Sequence, residues 1–120
     1  MKNYVLIIED DPHDSTAVSV TLARSGINFK IAKNGMEALN LAQEETPIVI
    51  ILDLMLPGLN GIKLAHLFRA DSSLKNVPIV VVSALNQGLD NKLGAELGIK
   101  DYFNKPINQE DLLKAINKYL

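Results

Sequence analysis

Three short runs of the chain, residues 5–8, 48–52 and 79–82, are apolar at nearly every position. They are rich in β-branched residues and do not alternate with polar ones, a pattern typical of parallel strands that are covered on both faces. Two shorter segments, residues 29–31 and 101–103, are weaker strand candidates. The pattern therefore predicts five strands.

Between these runs the apolar residues recur at every third or fourth position, as they do on one face of a helix. Gly26 and Gly98 follow two of these stretches and are expected to end their helices. Gly94 lies inside the fourth predicted helix, at about residues 89–97, and costs about 1 kcal/mol relative to alanine, so a short, bent or mobile helix is expected. The apolar stripes contain Val18 and Leu22, then Ala38, Leu39 and Ala42, then Leu64, Ala65 and Phe68, and finally Leu112, Leu113, Ile116 and Leu120.

Strands and helices alternate with short connections along the 120 residues, which predicts one α/β domain with a doubly wound parallel sheet and helices on both faces. The ligand site of such a sheet lies beyond the carboxyl ends of the central strands. Charged or hydroxyl residues follow four of the predicted strands at this edge. They are Glu9, Asp10 and Asp11 after the first strand, Asp53 after the third, Ser83 after the fourth and Lys105 after the fifth.

In a parallel sheet, Glu9, Asp10 and Asp53 would meet at the same edge. Carboxylates this close repel one another, and without a counter-charge the pKa of at least one of them would rise. The site therefore requires a cation, and all-oxygen ligands favour Mg²⁺ or Mn²⁺. A carboxylate oxygen that attacks phosphorus forms an acyl phosphate, and Ser83 and Lys105 could then neutralise charge on the phosphoryl oxygens.

Composition excludes several other functions. The formal net charge is -2 and the isoelectric point is near 5.6, with basic residues scattered along the chain, so direct binding of nucleic acid is not expected. Cysteine is absent, which excludes disulfides and thiolate metal sites. The first apolar run is too short for a signal peptide or a membrane span, so we expect a cytoplasmic protein without membrane insertion.

Four segments resemble the motifs of a response-regulator receiver domain, and the resemblance extends over the whole chain. These segments are residues 5–11, 53–58, 83–84 and 101–106, and their order and spacing together are specific. The resemblance implies a flavodoxin-like receiver fold with strand order 2-1-3-4-5, formed by one receiver domain over residues 1–120. It also implies a signalling switch of the two-component or phosphorelay type, and not an enzyme that acts on other substrates.

The resemblance further implies a role for each residue of the site. Asp53 is the phosphoacceptor, Ser83 and Lys105 contact the phosphoryl group, and Tyr102 turns inward on activation. The surface of the fourth helix, fifth strand and fifth helix then changes and passes on the signal. The implied metal ligands are Glu9, Asp10, Asp53 and the Met55 backbone carbonyl, and the implied partner contacts are Pro12, His13, Ser15, Pro106 and Ile107.

In this family the phosphate donor is a histidine kinase or a histidine phosphotransfer protein, and the bond corresponding to Lys105–Pro106 is often cis. This chain departs from the usual pattern at Glu9 and Asn60, where aspartate is frequent, but neither change removes a polar group from the site. Ala115 stands where one dimerising subfamily carries arginine, so we expect a monomer more than a stable dimer.

Other interpretations of the same residues stay open at this point. Residues 9–11 could form a solvated strand end or a helix N-cap, Ser83 could cap a helix, and Tyr102 could be an ordinary strand aromatic. A magnesium-dependent phosphatase with an aspartate nucleophile usually needs a second acid where Met55 stands. A flavodoxin-like electron carrier needs a phosphate loop rich in serine, threonine and glycine after the first strand. A receiver-like module that takes no phosphate is a third alternative, and an excised receiver domain would have the same sequence as a stand-alone regulator.

Overall fold

The computed structural model describes residues 3–56, 60–84 and 91–120. In this part of the chain strands and helices alternate, as the hydrophobic pattern predicts. The strands are Tyr4–Ile8 (β1), Asn28–Ala32 (β2), Val49–Leu52 (β3), Ile79–Ser83 (β4) and Ile99–Asn104 (β5). The helices are Pro12–Arg24 (α1), Gly35–Glu44 (α2), Gly61–Ala70 (α3), Asn91–Glu96 (α4) and Gln109–Asn117 (α5).

The five strands form one parallel sheet in the order β2-β1-β3-β4-β5, which confirms the α/β fold and the strand order implied by the resemblance. In the central strands, Ile8 pairs with Leu52 and Leu52 pairs with Val81. Strands β1, β3 and β4 therefore end at the same edge of the sheet. The residues that directly follow them are brought together there.

Two apolar cores form on opposite faces of the sheet because successive residues of a strand point to opposite sides. Leu6 and Ile8 of β1 face one core, which also contains residues of α2 and α3. Val5 and Ile7 face the other core, which contains residues of α1 and α5. Covering on both faces explains why β1, β3 and β4 are apolar at nearly every position.

Side chains just before four helices satisfy backbone N–H groups that the first turn leaves without partners. The helix-cap interpretation of the acidic run is thus correct for Asp11, which accepts from the N–H groups of His13 and Asp14. Gly26 and Gly98 have φ values of 72° and follow helix ends, as predicted. The four capping residues are Asp11, Asn34, Asn60 and Asn108.

The predicted apolar stripe of the last helix is wrong at Leu120. Helix α5 ends at Asn117, and Leu120 is 56% exposed. Tyr119 packs against the core at this position instead. The fourth helix is described over Asn91–Glu96, and its predicted start at residues 89 and 90 lies outside the described residues. None of the helices described is both long enough and apolar enough to cross a membrane.

Candidate functional site

Backbone hydrogen bonds at the carboxyl edge of the sheet hold the predicted site residues side by side. The Asp53 N–H donates to the Ile8 carbonyl at 3.1 Å, and the Lys105 N–H donates to the Ser83 carbonyl at 3.0 Å. Glu9 directly follows Ile8 along the chain. These bonds extend the pairing one residue beyond the strands, so the side chains of Glu9, Asp53 and Lys105 converge.

Asp53 lies at the centre of the site and is 5% exposed. Its Oδ1 atom accepts hydrogen bonds from Ser83 Oγ at 2.8 Å and from the Met55 N–H at 2.9 Å, and its Oδ2 atom accepts from Lys105 Nζ at 2.8 Å. Burial by itself would raise the pKa of Asp53, but these hydrogen bonds, that of Lys105 above all, lower the pKa below its ordinary value. Asp53 is therefore ionised, as a nucleophile or a metal ligand must be.

The ammonium group of Lys105 lies among three carboxylates. It donates to Glu9 Oε1, to Asp53 Oδ2 and to Asp14 Oδ2, the last two at 2.8 Å. Burial would lower the pKa of Lys105, but the hydrogen bonds to Asp14, Asp53 and Glu9 raise it above its ordinary value. The Lys105–Pro106 bond is cis, as the resemblance implies. Part of the counter-charge that the acidic residues require thus comes from the protein itself.

Glu9 is buried beside Asp53, and its pKa is raised to about 7. Burial is the main cause and the charge of Asp53 adds to it, whereas the hydrogen bonds from Lys105 and the Asp11 N–H act in the opposite direction. A cavity of about 100 Å³, lined largely by apolar residues such as Val18, adjoins these groups. One lysine therefore leaves the negative charge of the site incompletely balanced.

Three carboxylates at this edge could hold a metal ion. One oxygen from each of Glu9, Asp10 and Asp53 lies within 4.8 Å of the others. Oxygen ligands of this kind fit Mg²⁺ or Mn²⁺, and the exposed position of Asp10 leaves access for water. The three acidic residues 9–11 thus have different roles. Glu9 and Asp10 belong to this cluster, whereas Asp11 caps α1. The Met55 carbonyl stays a prediction as a further ligand.

Two predicted switch residues lie on neighbouring strands. Ser83 ends β4, is fully buried and donates its hydroxyl hydrogen bond to Asp53. Tyr102 is half-buried in β5, and its hydroxyl is buried without a hydrogen-bond partner among the described residues. Burial and the charge of Asp53 raise the pKa of Tyr102. The roles of Ser83 and Tyr102 in a switch stay predictions.

The predicted partner contacts differ in accessibility. Pro12, His13 and Pro106 are exposed beside the site, and Ile107 is half-buried. Ser15 is buried, and its hydroxyl donates to the Pro12 carbonyl at 3.3 Å. The structure thus does not present Ser15 to a partner, because this face of α1 turns toward the sheet.

Asp14 is a member of the site that sequence reasoning missed. It lies in the first turn of α1, where an acidic residue is sufficiently explained by the helix dipole. Only the three-dimensional packing indicates its contact with Lys105. Helices α1 and α5 pack on the same face of the sheet, and Lys105 lies in the connection before α5. Contact between Asp14 and Lys105, 91 residues apart, depends on that packing.

Comparisons with known proteins agree with this geometry. Residues 5–117 match the family described as the response regulator receiver domain. The chain is 33% identical over 116 residues to protein PilH of Pseudomonas aeruginosa, covering 97% of this chain and 96% of PilH. It is 35% identical over 120 residues to the DNA-binding response regulator MtrA of Mycolicibacterium smegmatis, and spans 51% of MtrA. The solved chemotaxis protein CheY4 of Vibrio cholerae matches over the whole of both chains, with a TM-score of 0.89 and 30% identity.

Proposed function

Because the chain belongs to the response regulator receiver domain family, we propose that it is a signalling switch that is activated when Asp53 accepts a phosphoryl group. The observation that carries the proposal is the environment of Asp53. Its ionised carboxylate contacts the Ser83 hydroxyl and the Lys105 ammonium group, beside the acidic groups of Glu9 and Asp10. Nucleophile, charge-neutralising groups and a set of metal-binding oxygens are thus within one site.

In the proposed reaction, a carboxylate oxygen of Asp53 attacks the phosphorus of the donor. The bond between phosphorus and the donor's histidine nitrogen breaks, and that nitrogen keeps the electron pair. The Ser83 hydroxyl and the Lys105 ammonium group hydrogen-bond to the phosphoryl oxygens, which carry the charge of the transition state. A bound Mg²⁺, or Mn²⁺, on Glu9, Asp10, Asp53 and the Met55 carbonyl would neutralise further charge on these oxygens.

The proposed donor is a histidine kinase or a histidine phosphotransfer protein. Its proposed docking surface contains the exposed residues Pro12, His13 and Pro106 and the half-buried Ile107, of which Pro106 and Ile107 line the cavity at the site. The protein assists its own phosphorylation and dephosphorylation and needs no other substrate. We place this reaction in the cytoplasm and assign it to one receiver domain over residues 1–120, for which a monomer is expected more than a stable dimer.

The proposed output is a change of the surface formed by α4, β5 and α5. When Asp53 carries a phosphoryl group, the Ser83 hydroxyl moves toward it and Tyr102 turns into the space that Ser83 leaves. The buried Tyr102 hydroxyl, without a partner among the described residues, supports this assignment because inward rotation breaks none of the hydrogen bonds described. A downstream protein then binds the altered surface.

Phosphorylation by a small donor tests the proposal. We expect the wild-type protein to gain the mass of one phosphoryl group from acetyl phosphate when Mg²⁺ is present, and to gain little when EDTA is present. Asp53→Asn should gain none, because an amide oxygen is a poor nucleophile. The measurement is intact-protein mass spectrometry over time.

Asp111→Asn is the matched control, because Asp111 is an exposed acid in the first turn of α5. It should be labelled at the wild-type rate. Equal labelling of Asp53→Asn and wild type would overturn the proposal. Repeated hydrolysis of small phosphate esters would instead favour the phosphatase alternative.

A further inference from the structure

Lys105 is bound by one carboxylate that does not belong to the proposed metal cluster. Its Nζ atom contacts Glu9, Asp53 and Asp14, and the first two of these are members of the cluster. Asp14 contributes its Oδ2 atom from α1, on the other side of the ammonium group. The lysine is 15% exposed and Asp14 is 41% exposed, so the pair lies where the site opens to solvent.

The three contacts of Lys105 would respond differently to a divalent cation on the cluster. Such a cation would be held by oxygens of Glu9 and Asp53 and would repel the nearby ammonium group, so both of these contacts would weaken. The contact with Asp14 would remain, because Asp14 is not a member of the cluster. Lysine has a flexible four-carbon stem and loses its fixed position when it has no partner.

The position of Asp14 is itself well defined by the start of α1. Asp11 caps the helix, Pro12 occupies its first turn, and the Ser15 N–H donates to the Asp11 carbonyl at 2.9 Å. Proline restricts the backbone at a helix start to the helical value of φ. The carboxylate of Asp14 is therefore presented from an ordered turn.

We propose that Asp14 is a positioning residue that keeps the Lys105 ammonium group beside the acceptor carboxylate when Glu9 and Asp53 bind a divalent cation. The proposal rests on the proposed function, since it gives Lys105 a fixed place from which to reach the phosphoryl group. Asp14 acts through Lys105, because its described contact is with the ammonium group and not with the Asp53 carboxylate.

The test observes the lysine directly in the whole protein. Protein labelled with ¹⁵N-lysine is saturated with Mg²⁺, and the ammonium signal of Lys105 is identified by its absence in Lys105→Met. We expect a slowly exchanging signal in the wild type, its loss in Asp14→Asn, and its recovery in Asp14→Glu. The matched control is Glu110→Gln, which removes an exposed acid in the first turn of α5 and should keep the signal.

A kinetic measurement accompanies the spectra. At saturating Mg²⁺ and acetyl phosphate, the maximal rate of Asp53 phosphorylation should fall roughly five-fold in Asp14→Asn, as the loss of a partly exposed ion pair suggests. An unchanged Lys105 signal in Asp14→Asn overturns the inference. If the wild type takes no phosphoryl group, the proposed function fails, while the ammonium spectra still decide the role of Asp14.

Discussion

The charges around Lys105 are consistent with the divalent ion proposed for this site. A single ammonium group contacts Glu9, Asp14 and Asp53, yet the pKa of Glu9 is still raised to about 7. Burial and the neighbouring Asp53 charge outweigh the stabilisation that Lys105 supplies to Glu9. An ion with two positive charges would stabilise the ionised form of Glu9 more strongly.

The raised pKa of Glu9 predicts how stability without metal depends on pH. Between pH 4.5 and about 7 the folded protein keeps a proton on Glu9 that the unfolded chain has lost. The free energy of unfolding should therefore decrease as the pH rises through this window, by about 2 kcal/mol. Urea unfolding at pH 5, 6 and 7 in the presence of EDTA measures this decrease in the free energy of unfolding.

Glu9→Gln is the control for this prediction, because glutamine fills the same space and does not titrate. In this variant the free energy of unfolding should lack the part of its pH dependence that comes from Glu9. The variant should also be more stable than the wild type at pH 7. The lowered pKa values of Asp53 and Asp71 affect stability below this window, because both carboxyls are already ionised in the folded and unfolded states within it. Identical slopes for the wild type and Glu9→Gln would contradict the prediction.

The segment between β3 and α3 connects Asp53 to the start of helix α3. Asn60 caps α3 by accepting from the Lys63 N–H at 2.9 Å, so the departure from the family's frequent aspartate keeps the capping function. The next residue, Gly61, donates its N–H to the Leu54 carbonyl at 3.0 Å. Helix α3 thus begins in direct contact with the backbone that follows Asp53.

Gly61→Ala should disturb this junction. A Cβ atom at Gly61 would lie 2.6 Å from Leu54 Cα and 2.7 Å from the Asp53 carbonyl oxygen, so the backbone must move. We expect a loss of about 1–3 kcal/mol in the free energy of unfolding, and slower phosphorylation of Asp53 because its carboxylate is displaced. Chemical denaturation and the mass assay measure the two effects.

Gly94→Ala is the matched control for this substitution. Among the described residues, a Cβ atom at Gly94 meets nothing within 4 Å, and Gly94 lies inside α4. Alanine should therefore stabilise the helix by up to about 1 kcal/mol. A Gly61→Ala protein as stable as Gly94→Ala would contradict the close contact at the junction.

At the scale of the whole molecule, Asp53 and the proposed switch residues Ser83 and Tyr102 are connected through adjacent strands. Val81 of β4 pairs with Tyr102 of β5, and Ser83 pairs with Asn104, the residue before Lys105. In the proposed switch, a displacement of Ser83 toward a phosphoryl group on Asp53 would act on the strand that carries Tyr102. The paired strands would then connect the site to the surface of α4, β5 and α5.

Ser83→Ala should uncouple phosphorylation from the change at Tyr102. A shift from 1:99 to 99:1 between two states needs about 5.5 kcal/mol, and a hydrogen bond to a charged group supplies about 1.5–3 kcal/mol. Without the hydrogen bond from Ser83, the ratio of active to inactive protein after phosphorylation should be roughly 10- to 100-fold lower than in the wild type. NMR signals of Tyr102, recorded with and without acetyl phosphate and Mg²⁺, measure this ratio.

Ser73→Ala is the control, since it also removes a hydroxyl that donates to an aspartate, Asp71, at 2.7 Å. That bond is exposed and lies in the connection between α3 and β4, so this variant should switch like the wild type. A full change at Tyr102 in Ser83→Ala would refute the coupling.

Local patterns in the sequence determined the α/β class and most of the residues of the site, whereas the strand order came from the resemblance to the receiver family. Apolar runs mark β1, β3 and β4 because such strands are buried on both faces, and spaced apolar residues mark the helices. The polar residues Glu9, Asp10, Asp53, Ser83 and Lys105 end strands or lie within two residues after them, so knowledge of a parallel sheet places them at one edge. These features depend on neighbours in the chain, which the sequence displays directly.

Other features were decided by tertiary structure alone. The packing of α1 places Asp14 against Lys105 and turns Ser15 toward the sheet, while the end of α5 leaves Leu120 exposed. The pKa of Glu9 likewise depends on burial and on the distances to Asp53 and Lys105. Burial and electrostatic contact arise between groups that are remote along the chain, so no local pattern of apolar and polar residues contains them.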